Sequence, residues 1–173
     1  MTPGIYDFVK RLRDEGHLKM PILEVGSLNV NGSVRDLFDR YWYFGIDRKP
    51  GPGVDRVLDV RKAARFLNPT KITETINGFS AYGTVLCLEV IEHDPNPFEV
   101  LEAIESLLYA GGRLVLTTRG IGYPLHDEPE DYWRFTVHGV RRLIESAHLE
   151  PISIEEVQDS PHGTGIYAFA EMC

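Results

Sequence analysis

The sequence predicts an α/β protein built on a doubly wound, mostly parallel sheet with a mixed edge, on three observations. Short apolar runs alternate with amphipathic stretches through most of the chain, the pattern of right-handed βαβ crossovers. One run, Thr84–Val90, is almost continuously apolar, as a strand covered on both faces of a parallel sheet must be. Two β-type runs close the chain with no helix between them, which implies an antiparallel finish.

Taken in order, Tyr6, Phe8, Val9 and Leu12 in a charged surround predict a short amphipathic opening helix that ends near Gly16. Ile22, Leu23 and Val25 form a strand entering Gly26. After the polar Ser27–Asn31 stretch, Val34, Leu37, Phe38 and Tyr41 recur at helical spacing and predict a helix. Tyr43–Ile46 is a second strand stopping at Asp47, and the Pro50-Gly51-Pro52-Gly53 breaker follows. Val54–Val60 predicts a third strand, residues 62–67 a helical turn, Asn68-Pro69 a break and residues 70–76 a weak helix. Beyond the Thr84–Val90 strand, Asn96 is a cap residue, Pro97 stands at the first helical position and Glu99 lies three residues after the cap. Leu101, Ile104 and Leu108 continue that helix toward Gly111-Gly112. Leu114–Thr118 is a further strand. Thr136 caps a helix with Val140, Leu143, Ile144 and Ala147 on one face. Ile152, Ile154 and Val157, then Ile166–Ala170, are the closing strands around a Pro161–Gly165 turn region.

The 173 residues match one domain at roughly 150 residues each, so a single domain over residues 1–173 is expected. Eighteen Lys and Arg against 26 Asp and Glu give a net charge of −8, which repels a polyanion and disfavours nucleic acid as a partner. The basic stretches Lys10-Arg11-Leu12-Arg13, Arg61-Lys62 and Arg141-Arg142 are short and interrupted, as solvated helix faces are. Cys87 and Cys173 cannot build a disulfide framework or a paired-cysteine zinc site, and a reducing, cytoplasmic setting is expected. Residues 1–20 carry charges throughout, so neither a secretory signal nor a membrane span is expected there.

In an open doubly wound sheet the ligand site lies at the carboxyl ends of the strands. The first such end runs from Glu24-Val25-Gly26 through Ser27, Asn29 and Asn31 to Gly32, where glycine permits a tight turn and close backbone approach. Asp47 closes the second strand roughly 20 residues after Gly26, the offset at which an acid meets the ribose hydroxyls of an adenosine ligand. Asp59 closes Val57-Leu58-Asp59-Val60, where a carboxylate either accepts from an exocyclic amine or caps a helix. The fourth end is Leu88-Glu89-Val90-Ile91-Glu92-His93-Asp94. Neither a P-loop nor a G-x-S-x-G elbow occurs, and the first turn lacks the G-x-G-x-x-G of a nicotinamide dehydrogenase.

On these residues the chain resembles the class I S-adenosylmethionine-dependent methyltransferases, of the small group with a bare Rossmann-like core. Glu24-Val25-Gly26 is similar to the family's first motif, Gly45-Ile46-Asp47 to its ribose-binding acid and Leu58-Asp59-Val60 to its adenine-side acid. Leu88–His93 resembles the segment after strand four, and Gly111–Leu116 the strand-five motif. His126 through Thr136 resembles the loop before the last helix in members acting on sugars and other small molecules. The resemblance implies a seven-stranded sheet of order 3-2-1-4-5-7-6, the last strand antiparallel, with helices on both faces. It implies S-adenosylmethionine as cofactor, held by Glu24, Gly26, Ser27, Asn29, Asn31, Gly32, Asp47, Arg48, Asp59, Val60, Glu89 and Val90. One departure stands out: the family's middle glycine is replaced and the loop is longer, with Asn29 or Asn31 able to tolerate left-handed backbone angles where glycine is missing.

The expected reaction is methyl transfer to an O or N atom of a small-molecule acceptor. In-line placement of the nucleophile is the main catalytic demand. His93, or in second place His126, is the candidate general base, and His93 has the alternative role of bracing a loop. Tyr123, Tyr132, Trp133 and Arg134 are the candidate acceptor contacts within residues 119–135, and the two aromatics and Arg134 have the alternative role of packing that loop down. The spacings of His93, Asp94, His126 and Asp127 fit no recognised ligand pattern, so no metal is expected. The competing expectations are a catalytically silent binding subunit that activates a partner enzyme and an NAD-dependent oxidoreductase.

Overall fold

A computed structural model describes residues 1–66, 78–126, 130–161 and 163–173. Seven strands form one sheet: β1 (Ile22–Val25), β2 (Tyr43–Asp47), β3 (Arg56–Val57), β4 (Tyr82–Leu88), β5 (Leu108–Arg119), β6 (Leu149–Ser160) and β7 (Gly163–Met172). Their order is β3-β2-β1-β4-β5-β7-β6, as the resemblance implied. The pairs from β3 to β5 are parallel, and β7 runs antiparallel to both β5 and β6. Every residue of β1 and β4 is buried, which explains why these segments are apolar or small apart from Glu24, whose carboxyl takes the Tyr43 hydroxyl as its partner.

The two faces of the sheet carry separate apolar clusters. On one, Leu23, Val25, Val85, Cys87, Leu114 and Leu116 pack against helices α2 (Val60–Phe66), α3 (Pro97–Leu107) and α4 (Val137–Ser146). On the other, Ile22, Leu86, Val115 and Phe169 pack against Ile5, Phe8, Val9 and Leu12 of α1 (Pro3–Asp14). Alternation along each strand sorts residues between these faces, so Glu24 shares the α1 face with its neighbour Tyr43. No described helix is long and apolar enough to cross a membrane.

Several expectations are corrected. The helix expected from Val34 to Tyr41 is a single 3-10 turn at Arg35–Leu37. Val34 and Leu37 do bury, but Phe38 is already extended, and Asp39 draws the chain into a local turn by accepting from the Tyr41 and Trp42 amides through its side chain and its carbonyl. Tyr41 is 75% exposed, so the apolar spacing never became a buried stripe. The expected third strand, Val54–Val60, shrinks to Arg56–Val57 because Asp59 accepts from the Arg61 amide and starts α2 at Val60. The capping box expected at Asn96 is not formed: Asp94 Oδ1 accepts from the Asn96 amide, and Glu99 is drawn to Arg61 instead. Helix α3 also ends at Leu107, before Leu108, which opens a β5 longer than the Leu114–Thr118 segment expected. The closing strands β6 and β7 likewise extend beyond their apolar runs. The break at Asn68-Pro69 and the helix over residues 70–76 lie outside the described residues.

Helix α4 begins as expected. Thr136 Oγ1 accepts from the Gly139 amide at 3.1 Å, while Val140, Leu143 and Ile144 bury. Thr136→Ala leaves that amide without its cap and is expected to cost about 1 kcal/mol of stability, visible as a lower urea midpoint at unchanged slope.

Candidate functional site

The carboxyl ends of β1, β2, β4 and β5 open onto one cleft of about 580 Å³. Glu24, Gly26, Ser27, Asn31, Gly32, Asp47, Arg48, Asp59, Val60, Glu89, Val90, His93, Tyr123 and His126 line it, so the fold gathers most of the expected site residues in one place. Asn29, Tyr132, Trp133 and Arg134 lie outside the lining.

The first wall is the turn after β1. Gly26 has φ of +78°, and a β-carbon there would meet Val90 Cγ2 at 2.3 Å, so glycine is required both for backbone angle and for space. The Gly26 and Ser27 amides both donate to Ile46 O, at 2.9 and 3.1 Å. Asn29 folds the turn: its Oδ1 accepts from the Gly32 amide at 2.9 Å and its own amide donates to Pro52 O at 2.8 Å. Asp47 accepts from the Leu28 amide at 3.2 Å and the Lys49 amide at 2.8 Å, tying the turn to the end of β2. The Pro50–Gly53 segment is therefore a brace for the lengthened loop as well as a breaker. Arg35 completes the brace, donating to Gly53 O at 2.8 Å and pairing with Asp55 at 2.5 Å, while Asp55 accepts from the Gly45 amide at 2.7 Å. Sequence reasoning missed Arg35 and Asp55. Their only signal is two opposite charges on either side of an aromatic strand.

Glu24 lies at the base of this wall, 6% exposed, and accepts a hydrogen bond from the Tyr43 hydroxyl. Burial pushes its carboxyl up to about 7, opposed by the Tyr43 hydrogen bond and the charge of Arg35. Asp59 stands nearby with one oxygen on the Arg61 amide, so the helix-capping role is filled while the residue also lines the cleft.

The opposite wall descends from β4 and β5. Glu89 takes a left-handed conformation, φ +59°, directly after β4, and its carboxylate pairs with Arg119 at the end of β5. The Arg119 guanidinium lies 4.1 Å from the centre of the Tyr123 ring. Glu92 is fully buried; Oε2 accepts from the Thr118 hydroxyl at 2.8 Å, and Oε1 has no hydrogen-bond partner. Burial pushes this carboxyl up to about 7 as well. His93 Nδ1 lies 2.5 Å from Glu130 O, the loop-bracing arrangement. The His126 ring stands edge-on to it with centroids 4.7 Å apart, and burial holds His126 below the ordinary imidazole range.

Segment 130–134 is strapped over the end of β4. The Tyr132 and Trp133 amides donate to Glu92 O, and Trp133 Nε1 donates to Asp94 O at 2.9 Å. Arg134 pairs with Asp131 at 2.5 and 2.7 Å and donates to Tyr123 O and Pro124 O. That partner holds the Asp131 carboxyl well below the usual carboxylate range. Tyr132, Trp133 and Arg134 thus shape this side of the cleft through the backbone they fix. Arg119 is the lining cation on that side, and Lys49 reaches Glu130 across the mouth at 3.5 Å.

No protein-family model matches the chain, and no curated protein matches it. Solved structures do. The 1,6-didemethyltoxoflavin-N1-methyltransferase of Burkholderia thailandensis, solved with 1,6-didemethyltoxoflavin and S-adenosylhomocysteine bound, is similar over 98% of this chain and 77% of its own, at 16% identity and TM-score 0.67. The magnesium protoporphyrin IX methyltransferase of Synechocystis, solved with S-adenosylmethionine, is similar over 98% and 79%, at 13% identity and TM-score 0.62. An S-adenosylmethionine-dependent methyltransferase of Clostridium acetobutylicum is similar over 99% and 92%, at 9% identity and TM-score 0.65. At such identities the likeness speaks for architecture, and with the strand order above it establishes that this chain has the class I S-adenosylmethionine-dependent methyltransferase fold.

Proposed function

We propose that the protein is an S-adenosylmethionine-dependent methyltransferase acting on an oxygen or nitrogen atom of a small-molecule acceptor. The observation that carries this reading is Asp47, a carboxylate at the end of β2 that faces the same cleft as a glycine turn too tight for any β-carbon. That combination fits an adenosyl ligand, whose paired sugar hydroxyls need an acceptor and whose bulk needs bare backbone. Neighbouring folds solved with S-adenosylmethionine or S-adenosylhomocysteine support it.

The bound cofactor supplies an electrophilic methyl group on its sulfonium. This chain's residues bind, orient and move a proton. Asp47 accepts from the sugar hydroxyls, and Gly26 lets Val90 pack onto bare backbone at the wall of the cleft that the ligand enters. Glu130 O, facing His93 Nδ1, fixes the N–H on that nitrogen and leaves Nε2 to accept a proton from the acceptor. Tyr123, Arg119 and His126 bound the acceptor half of the cleft. The acidic chain disfavours a nucleic-acid acceptor, and its two free thiols, Cys87 and Cys173, agree with a reducing, cytoplasmic setting.

Calorimetric titration with S-adenosylmethionine tests the reading. One equivalent is expected to bind with micromolar affinity, and S-adenosylhomocysteine is expected to compete. Absence of heat at millimolar ligand, with NAD equally silent, removes the enzymatic reading and leaves the non-catalytic binding subunit.

A further inference from the structure

We propose that Glu92, His93 and His126 form a binding site for a divalent transition-metal ion on the acceptor side of the cleft. Each residue offers one ligand atom, and the three atoms lie within 4.8 Å of one another. Binding at metal–ligand distances of about 2.0–2.2 Å needs only a small contraction from there.

Three features prepare the site. The fully buried Glu92 has one oxygen oriented by the Thr118 hydroxyl, while Oε1 has no hydrogen-bond partner. A buried carboxylate oxygen left in that state is costly, and a cation is the partner that relieves it. His93 has an oxygen acceptor against Nδ1, Glu130 O at 2.5 Å. An acceptor at one ring nitrogen holds the N–H there and leaves the other nitrogen with its lone pair, the support that metal-ligating histidines characteristically have. His126 Nδ1, 3.3 Å from Asp131 Oδ2, makes no hydrogen bond, so this ring also has a buried polar atom without a partner in the same cluster.

Local charge permits a dication. Arg119 pairs with Glu89, Arg134 with Asp131, and Arg48, which donates to His93 O, with Asp94, so all three guanidinium groups face carboxylates of their own. Glu92 supplies the negative charge to the ion. Two imidazoles and one carboxylate suit zinc, manganese, iron(II), cobalt or nickel, and leave coordination positions open. The sequence expectation of no metal followed from spacing alone, which does not show that β4 and the loop after β5 bring residues 92, 93 and 126 together. The consequence for catalysis rests on the methyltransferase reading: with an ion bound, His93 Nε2 would be a ligand in place of the general base, and an acceptor hydroxyl entering an open position would release its proton to water at lower pH and be favoured over an amine acceptor.

Titration of chelator-treated protein with Co2+, followed by visible absorption and calorimetry, tests the site without any cofactor or acceptor. One equivalent is expected to bind with the intense visible bands of low-coordinate cobalt. His126→Ala and Glu92→Gln are each expected to weaken binding at least tenfold, and His138→Ala on the exposed start of α4 to leave it unchanged. His126 is part-exposed, so its variant keeps the test open if the buried Glu92 change prevents folding. Failure to bind Co2+, or equal binding by all four proteins, overturns the site. S-adenosylmethionine calorimetry on the same samples separates the two readings: metal binding without cofactor binding keeps the site and removes the methyltransferase, and the converse removes the site alone.

Discussion

Asp47→Ala weakens S-adenosylmethionine binding by about 1–3 kcal/mol, a fall in affinity of about 5- to 150-fold, because charge-assisted hydrogen bonds to the ligand's sugar are lost. The carboxylate already accepts from the Leu28 and Lys49 amides, one on each oxygen, and each oxygen retains capacity for another donor. The bond from Leu28 holds the first-wall turn to β2, so the alanine variant also frees Leu28 and is expected to lose about 1 kcal/mol of stability in the absence of ligand. Asp47→Asn separates the effects: it keeps one acceptor oxygen for the turn and discards the charge that strengthens the sugar contacts. Calorimetry on wild type and both variants, beside urea unfolding of each, gives the comparison. A folded alanine variant with undiminished affinity places the sugar elsewhere.

The strand ends were legible because their chemistry is local. A parallel strand needs an apolar run, and the residue that stops the run stands at the mouth of the sheet; Asp47 follows from that rule, and Glu89 and His93 from their place at the end of the Thr84–Val90 run and just past it. Elements decided by competition were not legible. Val34, Leu37, Phe38 and Tyr41 have helical spacing, yet the Asp39 turn and the Phe38 contact with the Tyr43 ring, centroids 5.3 Å apart, bury part of the set without a helix. Tyr132 and Trp133 have the composition of ligand contacts. Their amides and the indole N–H are instead taken by the backbone oxygens of Glu92 and Asp94, which no spacing reveals. The Glu92, His93 and His126 cluster joins residues far apart in the chain and exists only once β4 and β5 are side by side.

Glu24 makes stability fall as pH rises from about 4.5 to about 7. Burial favours its neutral form, so in this interval the folded chain holds a proton that the unfolded chain has released, and the derivative of stability with pH is negative. Below the interval both states are protonated and the full contribution is present; above it both are ionised and the contribution is gone. At 1.36 kcal/mol per pKa unit the loss is about 3 kcal/mol. Glu92 shifts in the same direction, so the wild type loses stability through both residues. Glu24→Gln removes the first portion, since an amide oxygen can still accept from the Tyr43 hydroxyl and carries no charge to desolvate. The informative quantity is the slope, because the new amide N–H groups change the absolute stability at every pH alike. Urea unfolding in the presence of chelator, across pH 4.5 to 7, should give a distinctly shallower decline for the variant. Parallel declines in the two proteins would mean that Glu24 is already ionised in the fold, held by Arg35 and the Tyr43 hydroxyl against the penalty of burial.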